Sequence, residues 1–413
     1  MSKAWLCVGL LWVVALLNYL DRIMLTTMRE SLITAIPMND KQFGSLTSIF
    51  LLVYGILSPF AGFMADRFSR RLIIIGSLFV WSAVTWLTAH AQNYEQLLAA
   101  RALMGISEAF YIPAAMALIV DYHRGPTRSL ASGIHMSGCL LGSGLGGVGA
   151  WLAQGHDWAY AFNLFGIVGI VYSVVLVFFL PEAPREKSST PNAVPQASFL
   201  PALKSLFSRS SFYYALIFWG ILGMAGWGAA GWMPTYFKEH FHLSQTEAGF
   251  RAALPLQIAA MIGVVVGGAL ADFWSRKNER NRVFVVVVGL LLAAPGIMFA
   301  AKTDVQLFAI GGLVLYGLTR SFADSNMMPI LCMVADTRYR ATGYGVLNFF
   351  SCLVGGATNY YGGVLRDAHQ NVSDIFKFSA ISLVGCAVIL FLVKPSKTVK
   401  TAAVALEEPV KTA

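Results

Sequence analysis

Stretches of about twenty apolar residues, separated by short polar turns, recur from one end of the chain to the other. That length matches a helix crossing the hydrocarbon core of a bilayer. Twelve spans can be read, near residues 4–35, 42–65, 72–90, 95–121, 129–153, 158–180, 212–236, 246–271, 282–301, 306–336, 341–364 and 373–393. The pattern predicts an all-α integral membrane protein, since a helix satisfies its own backbone groups inside lipid. One extended polar stretch, Pro181 to about Ser211, divides the series six and six. The expected organisation is a six-helix bundle over 1–180, a cytoplasmic linker over 181–211, a second six-helix bundle over 212–393 and a cytoplasmic tail over 394–413. Within the linker, Phe199, Leu203, Leu206 and Phe207 share one helical face, with Lys204 and Arg209 elsewhere. This fits a short helix lying on the membrane surface, and a flexible linker fits the composition equally well.

Composition agrees with the pattern. Of 413 residues, 57% are hydrophobic and 12% charged, against about 25% charged in soluble domains, which argues against a soluble enzyme. The net charge of +9 would suggest nucleic acid as a partner of a soluble protein. Here the position of the charges answers the question. With the N-terminus inside, the inner loops take nearly all the lysines and arginines, and the outer ones hold only Lys41, Lys238, Lys302 and Arg366. The positive-inside rule therefore places both termini in the cytoplasm, with no nucleic-acid partner required; a plasma (inner) membrane is the expected location. The first span runs into Asp21 and Arg22 without a cleavage site and reads as a retained helix. Cys7, Cys139, Cys332, Cys352 and Cys386 fall inside spans, without CxxC spacing, and read as packing residues.

The two halves repeat each other. Gly62-Phe-Met-Ala-Asp66-Arg67-Phe-Ser69-Arg70-Arg71 stands between spans two and three, and Gly268-Ala-Leu-Ala-Asp272-Phe-Trp-Ser275-Arg276-Lys277 between spans eight and nine. Asp121 with Arg128-Ser-Leu-Ala-Ser-Gly133 follows span four, and Asp336 with Arg340-Ala-Thr-Gly343 follows span ten. Duplicated loops point to two bundles related by a pseudo-two-fold axis along the membrane normal. On these motifs the chain resembles the major facilitator superfamily over essentially its whole length, with Ser69 and Ser275 where that family usually has glycine. The resemblance implies a gate in which Asp66, Arg67, Arg71, Asp272 and Arg276 latch the cytoplasmic helix ends in the outward-open state. Fixing topology alone would also account for the basic residues.

Ionisable residues inside the spans ask for a function, because a charge at the bilayer centre costs about 2.5–3.5 kcal/mol. Span one holds Asp21, Arg22, Arg29 and Glu30; span four, Arg101 and Glu108; span ten, Arg320 and Asp324. Arg101 and Glu108 are two turns apart on one face, about 10 Å along the axis. Structural ion pairing is the plain alternative, since the basic and acidic groups balance. Asn18-Tyr19-Leu20-Asp21-Arg22 and Arg101-x-x-x-Gly105-x-x-Glu108-Ala109-x-x-x-Pro113-Ala114 resemble two branches of the superfamily, the anion:cation symporters and the Spinster-like transporters. Trp232-Met-Pro234-Thr-Tyr236 and Thr246-Glu-Ala-Gly249 are similar to both. The resemblance implies that Asp21 and Glu108 couple protons, with Arg22 and Arg101 as basic partners that pair with them or contact substrate. Tyr19, Tyr54, Asn348 and Asn359 are candidates to hydrogen-bond a substrate, although such residues often bond a neighbouring helix instead. Arg320 aligns with Glu108 if Gly317 is matched to Gly105, which makes it a second anion clamp or the partner of Asp324. His135 reads as a packing histidine.

Other motifs lead nowhere. Gly142-x-Gly144-x-x-Gly147 matches a dinucleotide fingerprint as text but opens no βαβ unit. Gly138, Gly142 and Gly146 instead suit close helix packing. The span-five proline motif of drug:proton antiporters is absent. No HExxH, GxSxG or metal-ligand cluster is found, so an enzyme, a cofactor and a metal are not expected. The reading is a monomeric secondary transporter in the lipid bilayer, taking up a small organic anion such as a sugar acid or sialic acid together with protons. The alternative is a Spinster-like carrier of a lysolipid or another amphipathic anion.

Overall fold

The computed structural model describes residues 2–183, 198–243, 245–367 and 373–393. The expected tail, residues 184–197 of the linker and the side chain of Asn359 lie outside the described residues. Among those described, helices form twelve membrane-length rods. Span one is Lys3–Thr27 with Arg29–Ala35, span two Asp40–Arg67, span three Arg70–Thr88, and span four Tyr94–Glu108 with Tyr111–Tyr122. Span five is Arg128–Leu145 with Gly147–Gly155, span six Trp158–Phe179, span seven Ser210–His240 and span eight Gln245–Ser275. Span nine is Asn281–Lys302, span ten Gln306–Arg320 with Phe322–Val334, span eleven Arg340–Asp367 and span twelve Ser373–Leu392. Ten of these are long and apolar enough to cross a membrane outright. The other two are span ten, which is broken and carries Arg320 and Asp324, and span eleven, which begins and ends on charged residues.

The breaks in spans four and ten are equivalent. Span four is interrupted after Glu108, where Pro113 cannot donate to the carbonyl of Ala109. Span ten is interrupted after Arg320. Gly105 lies against the Phe50 carbonyl of span two, and Gly317 against the Leu256 carbonyl of span eight. Glu108 and Arg320 thus end the same half-helix in the two repeats, on the register that pairs Gly105 with Gly317.

Small residues set how closely the rods approach. Gly138 and Gly142 place span five on the Trp12 and Leu16 carbonyls of span one, with Gly146 on Ile23. Span two packs on span eleven and span five on span eight, which are the two seams between the halves. Large apolar side chains such as Phe178, Leu72 and Ile381 point outward, as a lipid-facing surface requires. A nine-residue helix, Phe199–Phe207, crosses the end of the bundle that carries the basic loops. Phe199 meets Phe63 of span two edge-on at 5.4 Å, and Leu206 lies beside Gly343 of span eleven.

Candidate functional site

Spans two, three and four converge on the charges of span one. Arg22 Nε donates to Glu108 Oε2 at 2.6 Å, with Glu108 fully buried. Three aromatic faces surround the same guanidinium: Tyr54 at 4.4 Å, Tyr19 at 4.8 Å and Phe50 at 5.1 Å. A cation held against ring faces in a dry setting gains about 2 kcal/mol or more per contact. Arg101, in contrast, has no carboxylate partner among the described residues. It lies over Phe50 at 4.7 Å and donates to the Leu46 carbonyl at 3.4 Å. Asp21, 2% exposed, accepts from the Thr85 hydroxyl at 3.4 Å, and its Oδ1 has no partner. The cluster therefore contains one tight pair, Arg22 with Glu108, and two buried ionisable groups, Arg101 and Asp21, that lack a close partner of opposite charge among the described residues.

The second half contributes less. Arg320 Nη1 donates to Asp324 Oδ2 at 2.8 Å, and Gly226 of span seven leaves room for the guanidinium. Tyr344 of span eleven is buried and meets Trp219 of span seven edge-on at 5.7 Å. Asn348 is committed elsewhere, since its amide nitrogen donates to Ser58 Oγ across the span two and span eleven seam at 3.0 Å.

The duplicated loops form two latches. Asp66, at the end of span two, accepts from the backbone N–H groups of Ala341 at 3.0 Å and Thr342 at 2.7 Å, and from the Thr342 hydroxyl. Asp272, at the end of span eight, accepts from the N–H groups of Ser129 at 3.0 Å and Leu130 at 2.7 Å. Each carboxylate thus serves the orphan donors and positive dipole of a helix N-terminus in the opposite half. The motif glycines make the approach possible. A Cβ on Gly62 would collide with the Ala341 carbonyl, and one on Gly268 with the Ser129 carbonyl. The second glycine of each seam is Gly345 against Ser58 and Gly133 against Val264. Both stand five residues after the first arginine of their helix, so Gly345 rather than Gly343 is the counterpart of Gly133.

The family model described as Major Facilitator Superfamily matches residues 11–358. The chain belongs to the Major Facilitator Superfamily. It is 26% identical to the sphingosine-1-phosphate transporter SPNS2 of Xenopus tropicalis, over 93% of this chain and 79% of that protein. It is 25% identical to an MFS-type efflux pump of Mycolicibacterium smegmatis, over 89% of this chain and 85% of that one. Its fold matches the Escherichia coli fucose:proton symporter FucP with a TM-score of 0.77 at 16% identity, covering 96% and 99% of the two chains. A bacterial homologue of the lysosomal transporter Spinster, inward-facing and unoccupied, matches with a TM-score of 0.59 at 23% identity over 95% and 96%. Homologues and fold neighbours are transporters, not enzymes.

Within this superfamily member the basic partners of the latches differ from the sequence expectation. Arg67 is exposed and lies over Phe68, Arg71 donates to the Val177 carbonyl at the end of span six, and Arg276 is exposed over Phe273. The guanidinium beside Asp66 is Arg70, at 3.4 Å, which also pairs with Asp121. The one beside Asp272 is Arg282 of span nine, at 2.6 Å, which reaches Ser129 and Ser275 as well. An extra turn after Ser275 explains the change: Lys277–Arg280 loops outward before span nine begins, so the inward-facing arginine comes later in the sequence. Asn326 of span ten completes this latch by accepting from Ser129 Oγ at 2.6 Å. Burial tends to raise the carboxyl of Asp336 in the turn after span ten, but hydrogen bonds and charge from Arg338 outweigh it and hold that carboxyl below the usual range. Phe50, Tyr344, Arg282 and Asn326 carry no motif. Only the spacing of Arg282 at the start of an apolar span hinted at a buried role.

Proposed function

We propose that the protein is a secondary active transporter that couples protons to the uptake of an organic anion, with Asp21 and Glu108 as the proton-binding groups. The observation that carries this reading is the Arg22 to Glu108 pair at 2.6 Å inside its aromatic collar. A proton on Glu108 removes the counter-ion of Arg22. An anion entering between the halves then takes its place, with Arg101 a second cation on the same half and Arg320 one from the other half if its own pair with Asp324 opens. Loss of the proton on the far side restores the pair and expels the anion. Tyr19 and Tyr54 supply ring faces and hydroxyls to the bound molecule.

The latches support alternating access. Asp66 and Asp272 close the end bearing the basic loops, which by charge distribution is the cytoplasmic end of a plasma-membrane protein. The aspartates act with Arg70 and Arg282; Arg71 and Arg276 serve topology at the membrane surface. An inside-negative potential opposes entry of a monoanion by about 2.3 kcal/mol per 100 mV. One accompanying proton cancels this and two reverse it.

Two substrate classes remain in view. A sugar acid or sialic acid suits a small polar anion held by guanidiniums against aromatic faces. An amphipathic anion such as a lysolipid is favoured by the similarity to a sphingosine-1-phosphate transporter and by Tyr19, Phe50 and Tyr54 all crowding one cation. Proteoliposome uptake of sugar acids, sialic acid and lysolipids, with and without an inward proton gradient, separates the two. Glu108→Gln is expected to abolish gradient-driven accumulation while leaving counterflow exchange. A variant that still concentrates substrate would remove Glu108 from the coupling role.

A further inference from the structure

Asn18 opens the motif that carries Asp21 and Arg22, and the transport reading leaves it without a role. Its side chain is fully buried, and neither Nδ2 nor Oδ1 has a hydrogen-bond partner among the described residues. An unpaired amide in such a place weakens the fold. An asparagine within a helix can relieve this by donating to a backbone carbonyl one turn back; Asn18 does not. Its position explains what it faces instead. Asn18 and Arg22 are four residues apart and share a face of span one. Long side chains on a helix lie back toward its N-terminus, and the Arg22 guanidinium does so, standing over the Tyr19 ring at 4.8 Å. The Glu108 carboxylate, 2.6 Å from Arg22 Nε, is therefore drawn back along span one to the level of Asn18. The amide adjoins that carboxyl without reaching hydrogen-bond geometry. Arg22 takes only Oε2, and Oε1 of Glu108 is buried without a partner as well.

The two groups match in one protonation state only. An ionised carboxylate accepts and cannot donate, whereas the protonated acid has an O–H to give and a carbonyl oxygen to accept. A primary amide offers the complementary acceptor and donor side by side. We propose that Asn18 receives the Glu108 carboxyl when it takes up a proton: the ion pair with Arg22 opens, the acid O–H donates to Asn18 Oδ1, and Asn18 Nδ2 donates to the second carboxyl oxygen. This rests on Glu108 as a proton-coupling group and makes Asn18 a positioning residue for that step. Proton uptake then swings the carboxyl off Arg22, where a neutral acid would otherwise stay beside the guanidinium and obstruct an incoming anion.

The other groups facing Glu108 offer no such match. Arg22 of span one and Arg101 of its own span are donors only. Asp21 of span one is an acceptor only when ionised, and it already takes the Thr85 hydroxyl. Tyr19 of span one and Tyr54 of span two turn their ring faces to Arg22. Span three meets the cluster with Trp81 and Thr85, neither of which carries a charge.

Infrared difference spectra of the full-length protein in liposomes, taken between alkaline and acid pH, test this. The carbonyl stretch of a protonated carboxyl that vanishes in Glu108→Gln belongs to Glu108. Asn18→Leu keeps the shape of the side chain and removes the amide, so that band should move to higher frequency, as an acid deprived of its partner does. Its titration midpoint should fall by about one pH unit, since losing two hydrogen bonds from the protonated form alone weakens the hold on the proton about tenfold. In the wild type, an asparagine amide band located by isotope labelling should shift with the same midpoint as the Glu108 band and stay still in Glu108→Gln; this measurement holds even if Asn18→Leu does not fold. A Glu108 band with frequency and midpoint unchanged in Asn18→Leu, or a midpoint that rises because Asn18 serves the ionised form, overturns the role of Asn18 and leaves Glu108 as a proton carrier. A band that responds to Asp21→Asn and not to Asn18→Leu overturns it too, with Asp21 as the acceptor. If no band is lost in Glu108→Gln, the coupling reading falls and this proposal with it.

Discussion

The two latches are built from the same repeat and are not equally strong. Each sets a carboxylate at the end of one helix against the first-turn N–H groups of a helix in the other half, over a glycine that admits the backbone. They differ in the guanidinium. Arg70 stands 3.4 Å from Asp66 and pairs also with Asp121 of its own half. Arg282 stands 2.6 Å from Asp272 and reaches across the seam to Ser129, which in turn donates to Asn326. Both seams use backbone N–H groups; the seam between spans five and eight adds a guanidinium that crosses it, whereas the seam between spans two and eleven adds only uncharged groups, the Thr342 hydroxyl on Asp66 and the Asn348 amide on Ser58. Duplication preserved the carboxylate and the glycine, and each half supplied its own cation.

The sharpest test removes the carboxylates. In Asp272→Ala, Arg282 remains buried with no carboxylate, a change that costs about 3–5 kcal/mol when one partner of a buried pair is deleted. In Asp66→Ala, Arg70 keeps Asp121; both variants lose the carboxylate's hydrogen bonds to the opposite helix N-terminus, so the stranded Arg282 makes the difference between them. Thermal unfolding in detergent should place the Asp272 variant clearly below the Asp66 variant. Equal losses would mean that Arg282 finds another partner and that the two latches are equivalent.

That contrast was only half legible in the sequence. Span positions, the division into halves, the paired aspartates and their glycines followed from apolar run length and from a local repeat, which one chain displays directly. Arg282 did not, because its role depends on how far the loop after Ser275 swings before span nine starts. Arg71 and Arg276 fit the motif as letters, yet Arg71 is spent on the Val177 carbonyl and Arg276 is exposed over Phe273. The mid-depth cluster shows the same limit. Intramembrane charges announced themselves through their cost in lipid, but the pairing of Glu108 with Arg22 rather than with Arg101 depends on helix rotation and on the break at Ala109. Phe50 and Tyr344 were invisible for a different reason: an aromatic residue in an apolar span has no signature until a charge is found beside it.

The next test overfills each seam. Gly345→Ala and Gly133→Ala both place a methyl group against a backbone carbonyl of the opposite half. Overpacking of this kind costs about 1–3 kcal/mol. Since the contact exists only when the latched end is closed, the cost falls on that state and shifts the population towards the other. A cysteine introduced at Ser58, which is fully buried at the seam, should react faster with a membrane-impermeant maleimide in inverted vesicles when Gly345 is alanine, by about tenfold per 1.4 kcal/mol. The weaker seam should yield first, so Gly345→Ala is expected to open more than Gly133→Ala does when a cysteine at Ser132 reports on the other seam.

The smallest expected difference lies between two hydroxyls. Thr342→Ala removes one hydrogen bond to Asp66, but the Thr342 N–H still reaches the same oxygen at 2.7 Å. A loss near the lower end of about 0.5–1.5 kcal/mol follows. Ser129→Ala removes an oxygen that accepts from Arg282 and donates to Asn326, and leaves a buried amide oxygen without its donor. That places it at or above the upper end of the same range. The link through Asn326 can be isolated by a double-mutant cycle with Asn326→Leu. If Ser129, Arg282 and Asn326 act as one network, the two losses will overlap, and the double variant will be more stable than the sum of the single changes predicts. Strict additivity would mean that Asn326 only packs beside the latch, and the asymmetry between the seams would then rest on Arg282 alone.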